Sequence, residues 1–152
     1  MGRCGLYCGA CVIYRAHKDG GEYLKRVAEH FKCPPEKVQC EGCMVLTPDC
    51  WGYNCKIVKC LISKGLEFCY QCNEYRNGIC EKFEKLAKGY LDDGEDIRAN
   101  LERIKKGETE EWLRESKELY KCAVCGKPLP VSRIKRNCYH CGANLSKGIR
   151  KD

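Results

Sequence analysis

Cys122-Ala123-Val124-Cys125-Gly126-Lys127-Pro128-Leu129 is answered by Cys138-Tyr139-His140-Cys141-Gly142-Ala143-Asn144-Leu145. Both stretches read C-x-x-C-G-x-x-L. A C-x-x-C-G turn carries two thiolates to one ion, and the glycine after the second Cys takes a left-handed backbone that other residues resist. Two such knuckles predict a four-cysteine zinc ribbon, two short hairpins facing each other across a tetrahedral ion. Four thiolates leave no open coordination position, so the ion is expected to be structural.

The rest of the chain makes metal central to folding. Of 152 residues, 16 are cysteine, and they inflate an apolar fraction of 43%. Only three Phe and two Trp are present, and 32% of the residues are charged. A structural zinc supplies about 10–16 kcal/mol of apparent free energy, whereas a whole domain is stable by only about 5–15 kcal/mol. Met1-Gly2-Arg3 runs into Cys4 with no apolar leader, and no stretch is long enough to span a membrane. The expectation is therefore a cytoplasmic protein whose cysteines bind metal, with disulfides as the competing use.

Twelve cysteines precede residue 92: Cys4, Cys8, Cys11, Cys33, Cys40, Cys43, Cys50, Cys55, Cys60, Cys69, Cys72 and Cys80. With the ribbon's Cys122, Cys125, Cys138 and Cys141, all sixteen are candidate ligands. Two to three ions are expected in the body and one in the ribbon. Cys40/Cys43 and Cys69/Cys72 suggest a tetrad of two C-x-x-C pairs, with Cys33 or Cys50 as alternative buried thiols. Cys4, Cys8 and Cys11 have a spacing that also suits an iron–sulfur cluster, since such clusters and zinc share thiolate ligation. The same spacing occurs in radical-SAM enzymes, but this chain is too short and too charged for the barrel they need.

Three units are predicted: a Cys-rich metal-binding domain over 1–91, a helical spacer over 92–120 and the zinc ribbon over 121–152. The fold class expected is a small metal-stabilised α+β protein. Helices are read over Val12–His17, over Glu22–Phe31 with Leu24, Val27, Ala28 and Phe31 on one face, and over Ile57–Lys64 before Gly65. Cys80–Leu91 reads as another, with Phe83, Leu86, Ala87 and Tyr90 along one side. The spacer shows one helix with Ile97, Leu101 and Ile104 in register. A second begins at an expected N-cap, Thr109, and runs to Leu119.

Charge is divided unevenly. Lys121, Lys127, Arg133, Lys135, Arg136, Lys147, Arg150 and Lys151 face one acid, Asp152, at the C-terminal end. Each divalent ion held by four thiolates adds two negative charges, so the body is expected to be acidic and the ribbon basic. Arg133, Lys135 and Arg136, with Tyr139 beside them for base stacking, are the candidate nucleic-acid contacts. No Ser/His/Asp set and no phosphate-cradling glycine loop occurs, and His17, His30 and His140 are scattered.

One ordered string of motifs is specific. It runs Cys4-Gly5-Leu6-Tyr7-Cys8-Gly9-Ala10-Cys11 with Tyr14, then C-x-G-C (Cys40 to Cys43) and C-x-I-x-K-C (Cys55 to Cys60). Lys64-Gly65-Leu66, C-x-x-C-x-E-Y (Cys69 to Tyr75) and Cys80 complete it. Over residues 4–91 the chain resembles a widespread family of small Cys-rich prokaryotic proteins classed as a domain of unknown function and called zinc-binding by inference. The resemblance implies metal binding through the matching cysteines and no established reaction. Arg76-Asn77-Gly78-Ile79 replaces a proline-containing turn of that family, and the spacer and ribbon are additions to it. The leading expectation is a non-enzymatic zinc-binding protein whose ribbon contacts RNA, DNA or a nucleic-acid machine. The alternatives are an iron–sulfur redox or cluster-carrying protein using Cys4, Cys8 and Cys11, and a protein-interaction adaptor. A small-molecule substrate is not expected.

Overall fold

A computed structural model describes residues 1–133, with Arg133 by its backbone alone, and 137–145. Among the described residues the chain is helical. The elements are α1 (Val12–Asp19), α2 (Gly21–His30), α3 (Lys56–Ser63), α4 (Asn73–Arg76), α5 (Glu81–Asp92), α6 (Ile97–Lys105) and α7 (Thr109–Leu119). Short 3-10 turns link them. The expected α+β class is not what the described residues display. The ribbon's hairpins reduce to two isolated bridges, Lys121 to Pro128 and Asn137 to Asn144. Each knuckle is too short to extend its ladder beyond one pair.

The apolar spacing that reads as helix does so because it has a core to face. Ile97, Leu101 and Ile104 of α6 and Trp112 of α7 share one buried cluster with Leu6, Ile57, Leu61, Phe68, Tyr75 and Phe83. The spacer helices therefore complete the core of the Cys-rich body. Gly5 shows how closely they approach: a β-carbon there would stand 2.2 Å from the Ile97 carbonyl oxygen and 2.9 Å from Leu101. Its φ of +89° adds a second reason for glycine.

A second cluster lies between α1 and α2, holding Ile13, Ala16, Tyr23, Val27, Ala28, Val38, Cys40 and Cys50. Here one expectation is corrected. The covered face of α2 is Tyr23, Val27 and Ala28, while Phe31 caps the helix and is 42% exposed. Tyr23 is buried because the ribbon lies on it. At α7 the N-cap is Glu108 rather than Thr109, and no side chain caps it. α6 is capped by Asp96, whose carboxylate accepts from the Arg98 and Ala99 amides at 3.1 and 3.0 Å.

Buried polar groups join the units. Asn100 donates to the Gly5 carbonyl at 3.0 Å and to Glu95 at 2.6 Å, and Tyr120 donates its hydroxyl to the other Glu95 oxygen. Burial holds the Glu95 carboxyl above the usual range. Tyr120, 2% exposed, sits against Ala10 and Val131 and stacks on Tyr7 at 6.2 Å. The N-terminal cysteine loop, the spacer and the start of the ribbon are thus one hydrogen-bonded assembly.

Candidate metal centre

Cys122, Cys125, Cys138 and Cys141 present their sulfurs within 4.8 Å of one another. Cys122 lies 3.8 Å from Cys141, and Cys125 lies 3.8 Å from Cys138. A tetrahedron with metal–sulfur bonds of about 2.3 Å has edges of about 3.8 Å. The separation therefore fits one thiolate-bound ion at the centre.

Each knuckle is built the same way. The amide of Gly126 donates to Cys122 and that of Gly142 to Cys138, both at 2.8 Å, closing a tight turn. Gly126 and Gly142 follow their second Cys with φ of +69° and +77°. The amides of Cys125 and Val124 face the Cys122 sulfur and hold its thiol down at about 7, against desolvation. At Cys138 desolvation prevails and pushes the thiol up to about 12, although the amides of His140 and Cys141 face it too. A cation would offset that cost by binding the thiolate form.

The ribbon is docked on the body by its own knuckle. The Tyr139 ring stacks on Tyr23 with centroids 4.0 Å apart and planes 10° apart. Its hydroxyl donates to Asp19, the last residue of α1. Asp19 also lies 3.8 Å from Arg15 Nε and 3.7 Å from His140 Nε2. Sequence reasoning assigned Tyr139 to base stacking, but one of its faces already belongs to Tyr23. Lys135 and Arg136 lie outside the described residues, and of Arg133 only the backbone is described, in a 3-10 turn over Val131–Arg133. Lys121 pairs with Glu118 at 2.8 Å.

The twelve body cysteines fall into groups that their spacing conceals. Cys8 and Cys43 face one another, and their interaction holds Cys8 down at about 6 and drives Cys43 up. Cys4, Cys11 and Cys55 share the same neighbourhood, and burial pushes Cys4 up to about 12. Cys40, its thiol raised to about 12 by burial, faces Cys50 instead, with Cys33 packed beside them. Cys60, Cys69, Cys72 and Cys80 line a cavity of their own. The tetrad expected from Cys40/Cys43 and Cys69/Cys72 therefore does not assemble. In Cys40-Glu41-Gly42-Cys43 the left-handed glycine, φ +105°, comes before the second Cys, not after it, and the two thiols part company. Glu41 at this turn is held by His17 at 2.9 Å and Lys18 at 2.5 Å, whereas His30 is exposed.

A helical, Cys-rich protein with, among the described residues, one four-cysteine centre whose sulfurs are close enough to hold a metal is the class that these features define. The chain belongs to the family described as "Protein of unknown function (DUF3795)", whose model matches residues 1–85. The match takes in all twelve body cysteines and leaves out the ribbon. No curated protein and no solved structure matches the chain. Among the described residues no helix is long and apolar enough to cross a membrane.

Proposed function

We propose that this is a non-enzymatic zinc-binding protein in which the ribbon ion is a clamp, fixing the C-terminal segment against the Cys-rich body. The observation that carries this reading is the tetrahedral spacing of Cys122, Cys125, Cys138 and Cys141 on a knuckle whose Tyr139 is seated on Tyr23. Zinc suits such a centre because it takes four thiolates without redox chemistry or a geometry of its own to impose. The contact with RNA or DNA expected of Arg133, Lys135, Arg136 and Tyr139 draws its support from charge, because Tyr139 is committed to the body. An iron–sulfur centre in the ribbon is disfavoured, since ligands to separate irons stand farther apart than 3.8 Å.

The test is the Cys125→Ser/Cys141→Ser double variant of the full chain, with metal content and limited proteolysis as readouts. Loss of one zinc per chain, with cleavage opening in the segment after Leu119 while the body stays protected, is the expected result. Unchanged zinc content, or a ribbon that stays protected without its zinc, overturns the clamp.

A further inference from the structure

We infer that Cys60, Cys69, Cys72 and Cys80 form a second four-thiolate site for a thiophilic metal, with Lys64 as its charge partner. The inference rests on geometry separate from the ribbon's and stands whether or not the clamp does.

Four different elements supply these residues. Cys60 lies in α3, Cys69 opens the 3-10 turn Cys69–Gln71, Cys72 is the residue before α4 and Cys80 the residue before α5. All four line one small cavity of about 10 Å³, closed on other sides by Ile57, Leu61 and Tyr75. Cys69 is 5% exposed and within electrostatic reach of Cys60, Cys72 and Cys80. Cys4 of the first group is also within electrostatic reach of Cys69 but does not line the cavity. The Tyr75 hydroxyl is buried and has no hydrogen-bond partner among the described residues, and the Lys82 side chain completes the wall.

A cation stands beside Cys72. The Lys64 amine donates to the Cys72 sulfur at 3.4 Å and to Glu74 at 2.7 Å. Lys82 is a further cation on the cavity wall. Four thiolates around a divalent ion leave two negative charges, which Lys82 and Lys64, the latter shared with Glu74, offset in part.

Among the described residues the ribbon tetrad alone has all its sulfurs within 4.8 Å of each other. Metal uptake must therefore draw the body set inward. The Asn77–Ile79 link leads into Cys80 with the Gly78 and Ile79 amides on the Tyr75 and Glu74 carbonyls; Gly78 has a φ of +70° with open space where a β-carbon would stand, and Ile79 is 66% exposed.

Thiol footprinting of the wild-type full chain tests the site without any variant. The protein is purified anaerobically, its zinc, iron and acid-labile sulfide are measured, and it is alkylated at intervals after a chelator is added. Mass spectrometry then follows each cysteine. Cys60, Cys69, Cys72 and Cys80 are expected to be protected at the start and to become reactive together as one metal centre is released. That time course should differ from the one shared by Cys122, Cys125, Cys138 and Cys141. Zinc, or iron with sulfide, in this fraction states which thiophilic metal fills the site. Labelling of the four at unrelated rates, or labelling indifferent to the chelator, overturns it. If only the ribbon set behaves so, the clamp falls and the body site stands. Lys64→Met should speed release from the body set by about 10-fold or more and leave the ribbon set unchanged, with Lys64→Arg restoring the slow rate. Equal rates in wild type and Lys64→Met remove Lys64 from the site.

Discussion

A single hydrogen atom decides position 5. The Gly5 α-carbon turns at φ +89° directly beneath the Ile97 carbonyl, so that any side chain meets backbone rather than a movable neighbour. Gly20 has a comparable φ of +63° but open space around it. The comparison separates conformational strain from collision. Gly20→Ala is expected to cost about 1–3 kcal/mol from strain alone, because φ +63° with ψ −150° is backbone that essentially only glycine adopts. Gly5→Ala adds a clash inside a packed core and is expected to cost roughly 2–5 kcal/mol. Denaturant unfolding of the metal-loaded proteins measures both, and equal costs would mean that α6 can withdraw from Gly5 freely.

Elements were legible where a periodic face met a core. Ile97, Leu101 and Ile104 predict α6, and all three are buried; Phe83 does the same for α5. The misreadings have a common origin in contacts across the chain that no local window holds. Tyr23 was absent from the face read for α2 because its cover, Tyr139, comes from more than a hundred positions away. Cys40 and Cys43 looked like a knuckle because spacing was weighed without the position of Gly42. In the ribbon, glycine follows the pair, and there the C-x-x-C-G reading matched the geometry. Cys60, Cys69, Cys72 and Cys80 carry no such glycine signal, and only the packing of α3, α4 and α5 brings them to one cavity. The Tyr23–Tyr139 stack also sets how firmly the ribbon is held. Tyr139→Ala removes an aromatic pair worth about 0.5–1.5 kcal/mol beyond its buried area. Amide exchange across residues 137–145 is expected to quicken in this variant while the four ribbon thiols keep their metal. Unchanged exchange would mean that the clamp does not depend on this contact.

At the scale of the whole molecule the charge reading can be separated from the stacking reading. If the ribbon serves as a clamp, association with RNA or DNA has only phosphate attraction to draw on. Gel shifts at two salt concentrations are then expected to show binding that weakens steeply with salt and is the same for wild type and Tyr139→Phe. Binding that survives high salt, or that requires the Tyr139 hydroxyl, contradicts this. The predicted division into body, spacer and ribbon follows the cysteine distribution faithfully, yet the core ignores it. Leu6 shares a core with Trp112, the network Gly5–Asn100–Glu95–Tyr120 ties body to spacer, and the Leu129 amide on the Tyr120 carbonyl, with Val131 packed beside that ring, brings in the ribbon.

That shared core has a consequence for how the chain is born. A ribosome delivers Leu6 and all twelve body thiols well before Ile97, Leu101 and Trp112, which seal the layer they rest on. Until those residues follow, the thiols of this layer lack the face of α6 and α7 that covers them, whereas Cys40 and Cys50 have a core of their own.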